Sequence, residues 1–82
     1  MDNLELARLT GQALAMMTQT YFFELAHPAF PLENMLGNCR VVGFAVDESA
    51  ELVLLLLPLG QEDPDYYSMS ELSISPALQQ AA

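Results

Sequence analysis

Apolar residues in the first third of the chain recur at helical spacing, but they spread too widely for a helix resting on one core. At about 100° per residue, Glu5, Arg8, Gln12 and Gln19 share one narrow polar stripe. Leu4, Leu6, Leu9, Leu14, Met16, Met17, Tyr21, Phe22 and Leu25 occupy most of the remaining circumference. Asp2 with Glu5 three positions later has the form of a capping box, and Pro28 pushes His27 out of the helical region. The pattern predicts one long helix over 2–26. A helix on a single core normally carries a broad polar face, so this one is expected to be covered on more than one side. Ala7, Gly11 and Ala15 repeat every four residues on the apolar surface, a spacing that lets two helices approach closely along their i±4 ridges. That row lies either where the helix crosses its own sheet or where a helix from another chain meets it.

Residues 27–38 are rich in turn formers and read as a connector, with Phe30, Leu32 and Leu36 tucked under a sheet edge and Gly37–Asn38 as the final turn. The sheet is expected over 39–75. Arg40–Val46 and Leu52–Leu57 form a hairpin about the turn Asp47–Glu51. Both strands carry apolar residues at odd and even positions, whereas a half-exposed sheet alternates, so both sheet faces are expected to be covered. Pro58 and Gly60 end the second strand, Gln61–Asp65 is an acidic loop, and Tyr66–Met69 is a third, shorter strand. A turn through Glu71 and Leu72 then brings back Ile74, and residues 76–82 read as a short helical or frayed tail. The order strand, turn, strand, acidic loop and Tyr-Tyr-Ser-Met-Ser-Glu-Leu resembles part of a small SH3-like barrel. The expected fold is α+β: a long N-terminal helix packed on an antiparallel meander of three or four strands, in a dimer.

Composition sharpens this picture. Eighty-two residues make one domain near the lower size limit for a self-sufficient core. Such chains commonly need a staple. Cys39 is the sole cysteine and His27 the sole histidine, so an internal disulfide and a four-ligand Cys/His zinc site are excluded. Burial against another chain remains. Lysine is absent, and two arginines against 11 acidic residues give a net charge of −9. A field of that sign repels nucleic acid and anionic membrane and favours basic partners. The start lacks a basic signal-peptide region, and the apolar run Leu52–Leu57 is far shorter than the ~20 residues a membrane helix needs. A cytoplasmic location is expected.

Candidate chemistry is sparse. His27 is a possible general base, but no serine or cysteine has the context of a nucleophile. Cys39 reads as a small apolar strand residue, although the charge of neighbouring Arg40 would lower its thiol pKa. Glu62-Asp63-Pro64-Asp65 lacks the spaced oxygen ligands of a calcium loop, and no phosphate-cradling or dinucleotide glycine motif is present. No metal or cofactor and no enzymatic activity are expected.

The expectation is instead a non-catalytic acidic protein-binding module, of the kind a phage or plasmid uses to block a basic, nucleic-acid-binding surface. Its acidic contacts would be Asp47, Glu48 and Glu51 in the hairpin turn and Glu62, Asp63 and Asp65 in the next loop, roughly 23 Å away. Its apolar and small interface residues would be Ala7, Gly11, Ala15, Phe22, Phe23 and Tyr66. The alternative is a structural or accessory subunit of a larger assembly, bound through the apolar helix and sheet faces, with acids that only solubilise.

Overall fold

Asp2 opens the one α-helix found among the described residues, 2–26 and 35–77 of the computed structural model. Its carboxylate accepts the Glu5 amide at 2.7 Å, which satisfies one of the donors left bare by the first turn. The helix, α1, spans Asn3–Met16. It is shorter than the predicted 2–26: Met17 caps it, and the Thr18 hydroxyl donates to the Ala15 carbonyl at 2.7 Å. The chain continues as strand β1, Thr20–Leu25. Thr-Tyr-Phe-Phe is β-branched and aromatic, a composition that fits a pleated surface better than a helix. At a two-residue period Tyr21 and Phe23 share one face, and their rings meet edge-on with centroids 6.2 Å apart.

Four more strands follow: β2 (Met35–Val46), β3 (Leu52–Pro58), β4 (Asp65–Ser68) and β5 (Leu72–Pro76). Their order is β4-β3-β2-β1-β5 and every neighbouring pair is antiparallel. The α+β class is as expected, but the sheet has five strands instead of three or four. The first comes out of the predicted helix, and the segment returning Ile74 forms an edge strand beside β1. β2 also begins earlier than expected, so Gly37 and Asn38 are strand residues and not a turn. Gly37 adopts a left-handed φ of 84° where the β1–β2 register slips, a backbone that glycine alone takes without penalty. Leu36 packs against the core. Phe30, Leu32 and residues 78–82 of the predicted tail lie outside the described residues, and Pro76 belongs to β5.

A flat sheet of five strands would hold its edges about 19 Å apart. Only Met69–Glu71, a single 3₁₀ turn, joins β4 to β5. At about 2 Å per residue such a turn cannot span that gap, so the sheet curls until its edges converge there. Two hydrogen bonds pin the corner. The Ala26 amide donates to the Glu71 carbonyl at 2.8 Å, and the Ser70 amide donates to the Glu51 carboxylate at 3.0 Å. The concave side holds the core of Phe23, Cys39, Val41, Leu52, Leu54, Leu56 and Leu72, closed by Leu9, Ala13 and Met16 of α1.

In the β2–β3 hairpin turn, one Asp47 carboxylate oxygen accepts the Ser49 and Glu51 amides, each at 2.9 Å. Ala50 carries φ 61°, the left-handed slot that three-residue hairpin loops normally give to glycine. A β-carbon there costs roughly 1–2 kcal/mol, of which glycine gives back about 0.5–1 kcal/mol through its freer unfolded state. Ala50→Gly is therefore expected to raise stability in urea melts by about 0.5 kcal/mol, and Ala50→Val to lower it.

Candidate protein-binding surface

The two-residue period of a strand divides β3 between two environments. Leu52, Leu54 and Leu56 face the core and are at most 3% exposed. Val53, Leu55 and Leu57 point to the convex side, away from α1, and are only half-buried. The register sets their neighbours: Ala45 and Ser68 flank Val53, Gly43 and Tyr66 flank Leu55, and Arg40 opposes Leu57. Leu55 lies across Gly43, where a β-carbon would come within 3.2 Å of its Cδ2. Tyr66 is 61% exposed, and Val42, the extra residue of a bulge after Val41, is also exposed. A solvated antiparallel face normally gathers polar side chains. This one gathers valine, leucine, alanine and tyrosine along its middle, with Ser68 beside Val53 and Arg40 opposite Leu57 at its ends.

Acidic turns stand at the two ends of β3, separated by its seven residues, or roughly 23 Å. Their carboxylates differ in role. Asp47 is tied into the hairpin and Glu51 holds the Ser70 amide, so these two of the six acids picked out from the sequence serve the fold. Glu48, Glu62, Asp63 and Asp65 are exposed.

The helix meets the sheet through Leu9, Ala13 and Met16, with fully buried Ala13 allowing the close approach. Ala7, Gly11 and Ala15 lie on the opposite side and are exposed, and nothing is within 4 Å of where a Gly11 β-carbon would sit. The small row is therefore not the crossing point with the chain's own sheet. Leu4 and Leu14, also exposed, flank it and complete an outward apolar strip, bordered at its N-terminal end by Asp2, Glu5 and Arg8. Phe22 and Phe23, expected as interface anchors, are buried within the chain. Phe23 is in the core, and Phe22 faces the other side of β1 opposite Ser75. Of the three aromatic anchors, Tyr66 alone is exposed. Val53, Leu55 and Leu57 were not singled out from the sequence, although the apolar residues at both parities of Leu52–Leu57 carried the signal.

Cys39 is fully buried, its Sγ 3.8 Å from the Leu36 carbonyl oxygen and 3.5 Å from that of Gly37. Burial pushes its thiol above the ordinary 9.0, opposite to the lowering expected from Arg40. Consecutive strand residues face opposite sides, so the exposed Arg40 points away from the core that holds the thiol. Tyr67 is raised from 10.0, first by burial and then by the charges of Asp65, Cys39 and Glu71. Both groups are neutral when protonated, so above their ordinary values the native chain holds more protons than the unfolded one. Their stabilisation is whole below about pH 9 and is lost as pH rises through the folded-state values. Melting temperature is expected to fall as pH rises beyond about 9, with a shallower fall in Cys39→Ala.

Among the described residues no group of three or more His, Cys, Asp or Glu side chains could hold a metal ion. None of their helices is long and apolar enough to cross a membrane. His27, the candidate base, lies outside the described residues. No protein-family model, curated protein or solved structure matches this chain, which leaves the surface itself as the guide to function.

Proposed function

We propose that the chain is a non-catalytic protein-binding module that docks through the convex face of its sheet, steered by its acidic turns to a basic surface on the target. One observation carries this: the apolar strip Val53, Leu55, Leu57 and Tyr66 lies on a strand whose two ends run into acidic turns, with exposed Glu48 in one and exposed Glu62 in the other. Desolvation of an apolar centre supplies affinity, while rim charges set encounter rate and partner choice. With a net charge of −9, the favoured target is a cationic protein surface such as a nucleic-acid-binding groove. A phage- or plasmid-type inhibitor in a reducing cytoplasm fits that chemistry and the buried free thiol of Cys39. The strand order, with a 3₁₀ turn joining the two edges, supports an SH3-like barrel.

A second copy of the chain is the other proposed partner. The strip Leu4, Ala7, Gly11, Leu14 and Ala15 carries no charge, so two chains of this net charge repel least when they meet there. Its four-residue small row suits a close helix crossing.

The test is capture from a lysate of the source organism on immobilised chain, eluted with rising salt. A basic protein that elutes with salt and is absent from a Leu55→Asp column supports the proposal. Capture indifferent to both salt and Leu55 overturns it. Capture that needs Leu55 but resists salt favours the accessory-subunit reading, because apolar interfaces are not screened.

A further inference from the structure

A cavity of about 230 Å³ lies on the concave side of the sheet where β2, β3 and β4 come together, away from the convex strip. Leu36, Leu56 and Cys39 form its apolar floor, Tyr67 lines it, and Asp63 and Asp65 contribute carboxylates. The register explains the arrangement. Asp65 opposes Leu56, and Tyr67 lies two residues on along the same face, opposite Leu54. Leu56 and Cys39 are buried, Leu36 and Tyr67 half-buried, and both aspartates exposed, so the cavity runs from a greasy base to a negative rim.

We infer that this cavity binds the side chain of a lysine presented by a basic protein partner. The cavity carries the inference, and its two carboxylates select the occupant. An anion would be repelled, and a wholly apolar occupant would take water from the carboxylates without replacing it. A lysine matches both ends: its methylene stem lies along apolar surface while its ammonium stays at the polar edge. Five heavy atoms, each given about the 30 Å³ of a water molecule, fill roughly 150 Å³, which the cavity accommodates. The chain's own described cations are elsewhere. Arg8 stands 3.8 Å from Glu5 on α1, and Arg40 is on the opposite face of the sheet. The ammonium would form charge-assisted hydrogen bonds to Asp63 and Asp65, with the Tyr67 ring at its side. This deepens the proposed docking to a basic target and rests on that reading for the source of the lysine.

The experiment is an NMR titration of the labelled chain with n-butylammonium, which reproduces the lysine stem and head. Sodium chloride at equal ionic strength and 1-butanol serve as controls. Saturable shifts centred on Leu36, Leu56 and Tyr67, with millimolar affinity, are expected. Asp63→Asn combined with Asp65→Asn is expected to weaken binding about tenfold, whereas Glu48→Gln, a neutralisation in the turn at the other end of β3, leaves it nearly unchanged. All three positions are exposed, so an unchanged amide spectrum elsewhere certifies the fold. Butanol binding equally well, unsaturable shifts spread over both acidic turns, or indifference to the rim variant overturns the inference. Leu55→Asp separates the two proposals, since it abolishes partner capture and leaves butylammonium binding intact. Failure of the titration with salt- and Leu55-dependent capture preserved removes the lysine site alone.

Discussion

Phe23→Ala is expected to leave the chain at the edge of unfolding. Phe23 is fully buried, and its strand is paired on both sides, opposite Gly37 in β2 and Ile74 in β5. Gly37 has no side chain to move into the vacated space, and Tyr21 loses the ring it meets edge-on. Truncating a buried phenylalanine costs about 3–5 kcal/mol, while 82 residues imply a total stability of about 4–12 kcal/mol. The urea midpoint is expected to drop by about 2–3 M, with little change in slope for whatever remains folded. Tyr66→Ser, at an exposed position on the edge strand β4, is expected to change the stability by less than about 0.5 kcal/mol. A loss below about 1 kcal/mol for Phe23→Ala would mean that β1 does not sit at the centre of the core.

Leu55→Asp is expected to reverse that contrast, sparing the fold and removing the function. Leu55 is not part of the core and lies on the convex face across Gly43, so the main folding cost is that of aspartate in a strand, about 1 kcal/mol. At the centre of a docking strip the same change places a charge where water is excluded. Central apolar anchors are worth about 2 kcal/mol or more, at least about thirtyfold in affinity. Partner capture should therefore fail while the urea midpoint shifts only modestly. Neutralising Glu48, Glu62 and Asp63 is expected to act differently, lowering the association rate and flattening the salt dependence with a smaller loss of affinity. An intact fold with undiminished capture in Leu55→Asp would exclude the convex strip as the docking face.

The hairpin was legible because each of its strands is a β-rich apolar run closed by turn residues: Asp47–Glu51 in the middle and Pro58 with Gly60 at the end. The helix start was equally plain from Asp2 and Glu5. Thr20–Leu25 was not. A short run of aromatics satisfies helical and strand periods alike, and what decides between them is distant in sequence: β2 on one side and β5 on the other, with the Ser75 hydroxyl reaching the Phe22 carbonyl at 3.5 Å. Assigning those residues to the helix also made Phe22 and Phe23 look like surface anchors. The helix's apolar spread was readable, but nothing local says which arc meets the sheet, so Ala7, Gly11 and Ala15 had two readings until Leu9, Ala13 and Met16 were seen against it. The acidic turns were visible as composition. The division between Asp47 and Glu51, which hold the fold, and Glu48, Glu62, Asp63 and Asp65, which are exposed, depends on turn geometry and on Ser70, 19 residues beyond Glu51.

That the bare apolar strips of this chain are completed by another polypeptide is tested most directly by sedimentation equilibrium of the purified protein at concentrations up to about 1 mM. A mass rising toward twice the 9.0 kDa of one chain is predicted, together with a return to one chain in Gly11→Glu. That variant adds charge to the helix strip at an open position while favouring the helix itself. A well-folded species that stays at 9.0 kDa over the whole range would contradict the account.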